Sequence, residues 1–213
     1  MTLVTIAAYY GAGGSRIAPD LAQRLDVPFL GRPELPEPLA SDEPRGREAE
    51  VACEGFDTES GGLLSRLASM AVAWGTPAGL TIEDLLPDEA RRRELDREVL
   101  AFSSGGGGGV ILGRGAAVLL RDTPGALHVL LDGPAEARVR QAMAIEEIDR
   151  RTAERRLARL DRFRRAYLEG LYGVSVREPG VFHLVLDSTA VPLADCVELI
   201  ADAARRRART AVG

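Results

Sequence analysis

The chain contains no lysine, and all of its basic residues are arginine. A GC-rich coding sequence, which favours arginine and alanine codons, accounts for the bias. Its chemical consequence is that any phosphate site must be built with arginine, whose planar fork grips phosphate oxygens bidentately. Cysteine is scarce too. Cys53 and Cys196 are too few and too scattered for a disulfide framework or a zinc site, which points to a reducing cytosol. No apolar run approaches the ~20 residues of a membrane span. No basic segment leads into an apolar stretch and a cleavage site, so neither a membrane nor a secretory leader is expected, and the expected location is cytoplasmic. The net charge of −5, with acidic residues interleaved among the arginine runs, argues against nucleic acid as a partner.

What is present is enough apolar residue for a packed core in 213 residues, as one domain or one domain with an insertion. The organising stretch is residues 3–25. Leu3-Val4-Thr5-Ile6 is uncharged and β-branched, the pattern of a buried strand. Gly11-Ala12-Gly13-Gly14 follows as a tight turn, and Ser15 opens a helix with Ile17, Leu21 and Leu25 at four-residue spacing. Two readings fit. The turn is a phosphate cradle, with unpaired N–H groups and the helix dipole converging on one point; or it is an ordinary strand-to-helix turn with glycines for steric reasons. The usual phosphate loop, GxxxxGK[ST], carries a lysine. Here Gly14 stands in its place, with Ser15 in the hydroxyl slot.

Val27-Pro28-Phe29-Leu30 reads as a short second strand, and Gly31 to Glu50, rich in Pro, Glu and Arg, as a loop. Leu63, Leu64, Leu67, Met70, Ala71 and Trp74 give one helical face and Ile82 to Phe102 a second, so residues 35–103 read as a helical insertion. Arg91-Arg92-Arg93 within it reads as solvated surface. Ser103-Ser104 and Gly105 to Gly109 form a flexible lead-in to a third strand, Val110-Ile111-Leu112, which ends in Gly113-Arg114-Gly115. Ala116 to Arg121 is a short helix, Leu127 to Leu131 a strand ending at Asp132, and Pro134 suits the first turn of the next helix. Ile145 to Tyr172 reads as one long arginine-dense helical segment. Phe182 to Leu186 is a last strand closed by Asp187-Ser188-Thr189. A helix with Leu193, Val197 and Ile200 then runs into an Arg205-Arg206-Arg207 tail. The alternation predicts an α/β fold, a five-stranded parallel sheet covered by helices on both faces. Ligands in such sheets bind at the carboxyl ends of the strands. The glycine turn, Gly31-Arg32, Arg114, Asp132 and Asp187-Ser188-Thr189 all fall there.

These segments, in this order, resemble the cytidylate kinase-like family within the P-loop nucleoside monophosphate kinases. The likeness rests on Val4-Thr5-Ile6 with Tyr10-Gly11-Ala12-Gly13-Gly14, on Val110-Ile111-Leu112-Gly113-Arg114-Gly115-Ala116, on Asp161 with Arg164-Arg165-Ala166-Tyr167, and on Leu186-Asp187-Ser188-Thr189. Members have a turn ending in Gly-Gly, so the missing lysine belongs to the likeness. The resemblance implies a P-loop kinase-like domain over residues 1–213 that uses ATP and Mg²⁺ to phosphorylate a nucleoside monophosphate or a related small acceptor. It implies that Gly11, Ala12, Gly13, Gly14, Ser15 and Arg16 hold ATP, with the Ser15 hydroxyl on the metal and Asp187, Ser188 and Thr189 beside the donor base. It implies further that Arg32 and Arg114 face the acceptor, with residues 35–103 on that side. Arg162, Arg164 and Arg165 would act from an arginine-rich lid over residues 146–178.

From the residues alone, other roles stay open. Arg114 caps a neighbouring helix, the lid arginines form a solvated face with Glu147–Arg151 and Asp161–Arg165 pairs, and Asp187-Ser188-Thr189 caps the final helix. Tyr167 and Tyr172 read as packing residues, and His128 and His183 as structural ones. The chain also departs from the family pattern. Ala7-Ala8-Tyr9 replaces a polar-basic entry to the turn, and Gly31 stands where the second strand usually ends in aspartate. Gly115 stands where true cytidylate kinases carry aspartate, and no aspartate closes the third strand. Two functions therefore compete: a kinase, whose arginines a mere binder has less need of, and a catalytically degenerate nucleotide-binding protein acting as a sensor or partner-binding module. The sequence is silent on oligomeric state.

Overall fold

The computed structural model describes residues 2–32, 86–175, 178 and 180–210. Met1–Pro33 and Asp88–Gly213 form one compact unit, to which all that follows belongs, and Glu34–Pro87 form a second. The expected helical face at Leu63 to Trp74, and most of the 35–103 insertion, lie outside the described residues.

The uncharged opening stretch becomes β1 (Leu3–Ala8), and it is buried because it has a strand on either side. The other strands are β2 (Phe29–Leu30), β3 (Gly109–Leu112), β4 (Leu127–Asp132) and β5 (Leu184–Asp187), in the order β2-β3-β1-β4-β5 with every pairing parallel. Thr5 stands opposite Ile111 on one side and His128 on the other.

Alternation along β1 feeds two cores. Val4 and Ile6 pack with Val129 and Leu131 against α1 (Gly14–Leu25) and α6 (Leu193–Thr210), which contribute Ile17, Leu21, Ile200 and Ala201. Leu3 and Ile111 face the other way, against Val99 of α2 (Glu89–Ser104) and Ala116 of α3 (Ala116–Leu119). Each such fully buried aliphatic side chain contributes about 1.5–3 kcal/mol. The chain is thus an α/β fold, a five-stranded parallel sheet with helices on both faces. No helix among the described residues is long and apolar enough to cross a membrane.

Several boundaries differ from the sequence expectation. The helix expected from Pro134 is α4 (Ala135–Glu146), which takes in Ile145 and Glu146, and the segment expected over 145–172 starts only at α5 (Arg150–Tyr172). Glu147 takes a left-handed conformation (φ 55°), and Asp149 caps α5 by accepting the Thr152 N–H at 2.8 Å. That capping oxygen competes with helix continuation. Ser103-Ser104 is the last turn of α2 rather than a lead-in, because both hydroxyls donate back to the Leu100 carbonyl, and Gly109 already belongs to β3. Arg205-Arg206-Arg207 lies inside α6, not in a tail. Arg91-Arg92-Arg93 is a solvated face, paired with Glu89, Glu94 and Asp96 along the same helix.

Candidate functional site

The site begins where β1 ends. Gly11 and Gly13 both have φ in the left-handed region, at 75° and 71°. A Cβ on Gly11 would lie 2.2 Å from the Arg138 carbonyl oxygen, and one on Gly13 would lie 2.7 Å from Leu193 Cδ2. Both glycines therefore answer a steric need. The turn is also open as a cradle: α1 has no side-chain cap and no acidic residue in its first turn. The N–H groups of Gly13, Gly14 and Ser15 find no acceptor among the described residues. Uncapped donors on a helix N-terminus favour an anion. Ser15 and Arg16 are exposed at the mouth.

The back of the turn is pinned by four side chains. Asp161 on α5 accepts the Tyr10 N–H at 2.8 Å and pairs with Arg138 at 2.6 Å. Arg138, buried on α4, donates to the carbonyls of Tyr10 and Gly133, lies 3.6 Å from Asp132, and stands over the Tyr9 ring at 5.1 Å. Gln141 donates to the Gly11 carbonyl at 3.0 Å. Ser188 Oγ, fully buried beyond β5, donates to the Ala12 carbonyl at 2.7 Å. The Asp161–Arg165 surface pair is thereby corrected: Asp161 is buried and pairs with Arg138 and, at 3.8 Å, with Arg164. The expected Glu147–Arg151 helix pair goes as well, since Glu147 lies in the break between the two helices.

Two guanidiniums lie close to the turn: Arg32 Nη2 would be 3.6 Å from a Cβ on Gly14, and Arg164 Nη1 lies 3.8 Å from the Asp161 oxygen that holds Tyr10. Arg164 Nη1 is buried and makes no hydrogen bond among the described residues. Burial, then repulsion from Arg32 and Arg138, pulls its pKa down to about 9, with Asp161 opposing. Arg32, just past β2, donates to the Ala8 carbonyl at 3.2 Å, and burial lowers its pKa to about 10. Both stay protonated at neutral pH, so positive charge is concentrated close to the turn and Asp161 only partly offsets it. An anion would relieve it.

The remaining expected residues divide. Asp187 Oδ1 accepts the N–H groups of Thr189 and Ala190, at 2.9 and 3.2 Å, and the Thr189 hydroxyl. It shapes a turn ahead of α6 rather than capping that helix, and those bonds hold its carboxyl below the usual range. With Ser188 on Ala12, this group adjoins the cradle. Arg114, at φ 59°, donates through Nε to the Gly31 carbonyl at 2.6 Å and pairs with Glu98 of α2. It ties β3 to the end of β2 instead of standing free. Arg162 is half-buried and Arg165 is exposed; Arg162 has its pKa lowered by burial and by Arg165.

Tyr172 fills the space over Gly115: a Cβ there would lie 2.5 Å from its Cε2, and its hydroxyl donates to Asp96 at 2.8 Å. The central parts played by Arg138 and Gln141 had no motif to announce them. The one available signal was an arginine and an amide one turn apart, where α4 passes the carboxyl end of β1.

Among the described residues no group of three or more His, Cys, Asp or Glu can hold a metal. His128 on β4 and His183, just ahead of β5, stack at 4.8 Å. His128 Nδ1 bonds to Thr5 Oγ1 at 2.8 Å.

A sequence model described as the cytidylate kinase-like family matches residues 3–190. A curated cytidylate kinase of Aeropyrum pernix is 36% identical over 119 residues; the match covers 54% of this chain and 65% of that relative, just under two thirds of its length. Among solved structures, an uncharacterized protein from Eubacterium ventriosum superposes with TM-score 0.66 at 16% identity, covering 97% of this chain and 99% of that one. A gluconokinase from Sinorhizobium meliloti gives 0.50 at 16% identity, covering 98% and 94%. At such identities these structures report the fold alone.

Proposed function

The chain belongs to the cytidylate kinase-like family, and on that premise we propose that it transfers the γ-phosphoryl group of ATP to a nucleoside monophosphate or a related small acceptor. The observation that carries this reading is Arg164 Nη1, buried without a hydrogen-bond partner among the described residues and 3.8 Å from the carboxylate that holds Tyr10, at the entry to a helix N-terminus whose first N–H groups are also open. Such transfer needs little covalent chemistry from the protein. It needs positioning and cations around the migrating group.

On this reading the open amides of Gly13, Gly14 and Ser15 hold the donor phosphates, the Ala12 N–H being already bonded to the Tyr9 carbonyl at 3.1 Å, and Arg16 at the mouth reaches their outer oxygens. Asp187, Ser188 and Thr189 border the donor base. Arg164 neutralises charge developing on the transferred group, with Arg162 and Arg165 beside it on a lid spanning 146–178. Arg114 serves the acceptor phosphate.

Mg²⁺ takes few protein ligands and keeps phosphate and water oxygens, so the exposed Ser15 hydroxyl fits as one of them. When bound, that ion supplies charge neutralisation between phosphate oxygens. A cytosine contact from position 115 is closed, because Gly115 lies against the Tyr172 ring. The acceptor is therefore assigned only as a small phosphate-bearing nucleotide. A free, buried Cys196 suits a reducing cytoplasm.

The test is a coupled ADP-release screen over nucleoside monophosphates with Mg·ATP, beside a direct ATP titration. Saturable ATP binding and turnover with at least one acceptor are expected. Tight ATP binding without turnover on any acceptor would favour a nucleotide sensor instead.

A further inference from the structure

We propose that Arg32 supplies, from the end of β2, the cation that position 14 cannot carry, so that it rather than an acceptor-side group neutralises the outer donor phosphates. The inference rests on the donor-phosphate reading of the cradle given above and goes beyond it by naming the residue that replaces the loop lysine.

Position 14 is closed to any side chain. A Cβ on Gly14 would lie 2.6 Å from Ala8 Cβ and 3.4 Å from Leu112 Cδ1. Ala8, the last residue of β1, thus puts its methyl group where a residue-14 side chain would have to begin. A lysine there would force β1 and α1 apart, and a packed core resists such insertion.

The third neighbour of that same point is Arg32 Nη2, at 3.6 Å. The guanidinium therefore stands beside the empty position. Its route is visible: a Cβ on Gly113 would lie 3.3 Å from Arg32 Cγ, so the stem crosses the end of β3 at a glycine with φ 76° and the head reaches the end of β1. There it donates to the Ala8 carbonyl at 3.2 Å. Arg32 also interacts with Asp161 and repels Arg164, so the two arginines lie near one another and near the carboxylate that holds the Tyr10 N–H. An arginine desolvated on a single carbonyl among the described residues, beside a second whose Nη1 has no partner among them, is completed by an anion with several oxygens.

The experiment titrates ATP, AMP and inorganic tripolyphosphate by calorimetry into wild type, Arg32→Gln, Arg32→Lys, and a chain carrying Arg32→Gln with Ala8→Gly and Gly14→Lys. Arg32→Gln should weaken ATP and tripolyphosphate by about 10- to 100-fold, the range for losing a charged hydrogen bond, with AMP affinity unchanged. Arg32→Lys should retain part of the affinity, and the relocated lysine should restore it. Thermal melting gives a readout free of nucleotide: Gly14→Lys alone should lower Tm, and adding Ala8→Gly should recover it.

Unchanged tripolyphosphate and ATP affinity in folded Arg32→Gln would overturn the proposal, as would an equal loss for AMP, which would return Arg32 to the acceptor side. Gly14→Lys melting like wild type would also overturn it. If wild type binds neither ATP nor tripolyphosphate, the donor reading itself falls, and the wild-type titration alone reveals that.

Discussion

Asp161 Oδ1 accepts the backbone N–H of Tyr10 at 2.8 Å, joining residues 151 positions apart in the chain. Its second oxygen holds Arg138 at 2.6 Å. One buried carboxylate thereby fixes the entry to the glycine turn and neutralises the arginine packed behind it.

Removing that carboxylate should cost stability, because buried Arg138 would lose its close partner and keep only Asp132, at 3.6 Å. Asp161→Ala is expected to lower the unfolding free energy by about 3–5 kcal/mol, measured by chemical denaturation. Asp161→Asn keeps an acceptor for Tyr10 and should lose less. Equal losses in the two variants would mean that the charge, not the hydrogen bond to Tyr10, is what matters.

Arg164 and Arg16 should separate in kinetics. Arg164 is desolvated beside the carboxylate that holds Tyr10, with a nitrogen that has no partner among the described residues, whereas Arg16 projects from the exposed mouth. Loss of a transition-state arginine costs ~10³-fold or more, so Arg164→Ala should cut kcat to that extent. Arg16→Ala should cost less than about tenfold. Single-turnover rates on the acceptor found in the screen decide it, and the reverse order would remove Arg164 from the catalytic role.

Glu98 competes with any acceptor phosphate for Arg114, since the two already pair. Glu98→Gln should therefore lower the acceptor KM, by up to about fivefold for a half-exposed ion pair, while ATP affinity stays the same. Arg114→Ala should raise the acceptor KM and also loosen the contact to the Gly31 carbonyl. An acceptor KM that Glu98→Gln leaves untouched would make Arg114 purely a tie between β2 and β3.

Acid should destabilise the fold through His128. Burial, with the neighbouring His183 second, lowers its pKa from 6.5 to about 4. His183 is lowered as well, by burial and by Arg207, and its Nδ1 accepts the His128 backbone N–H at 3.0 Å. Above pH 6.5 both folded and unfolded chains hold His128 neutral, and nothing is lost. Between pH 6.5 and about 4 only the unfolded chain takes up the proton, so stability falls as pH falls. The full His128 contribution is about 3 kcal/mol. Urea midpoints across that window should show the slope, and His128→Gln should flatten it.

The sequence by itself determined what depends on neighbours in the chain. Uncharged β-branched runs could only be interior strands, strand–glycine–helix succession implied a parallel sheet, and Gly11 to Gly14 marked the tight turn between β1 and α1. Even locally, an oxygen at Asp149 set the start of α5 at Arg150 rather than at Ile145. Tertiary structure decided which charges meet. Nothing in the spacing of Arg32, Asp161, Arg138 and Arg164 says that the sheet order β2-β3-β1-β4-β5 and the packing of α4 and α5 bring them to one turn. Nor does it say that Arg114, in the family's position, is held by Glu98 and Gly31. Periodicity records which face of an element is apolar. The partner of a buried charge is set by chain crossings that no local pattern encodes.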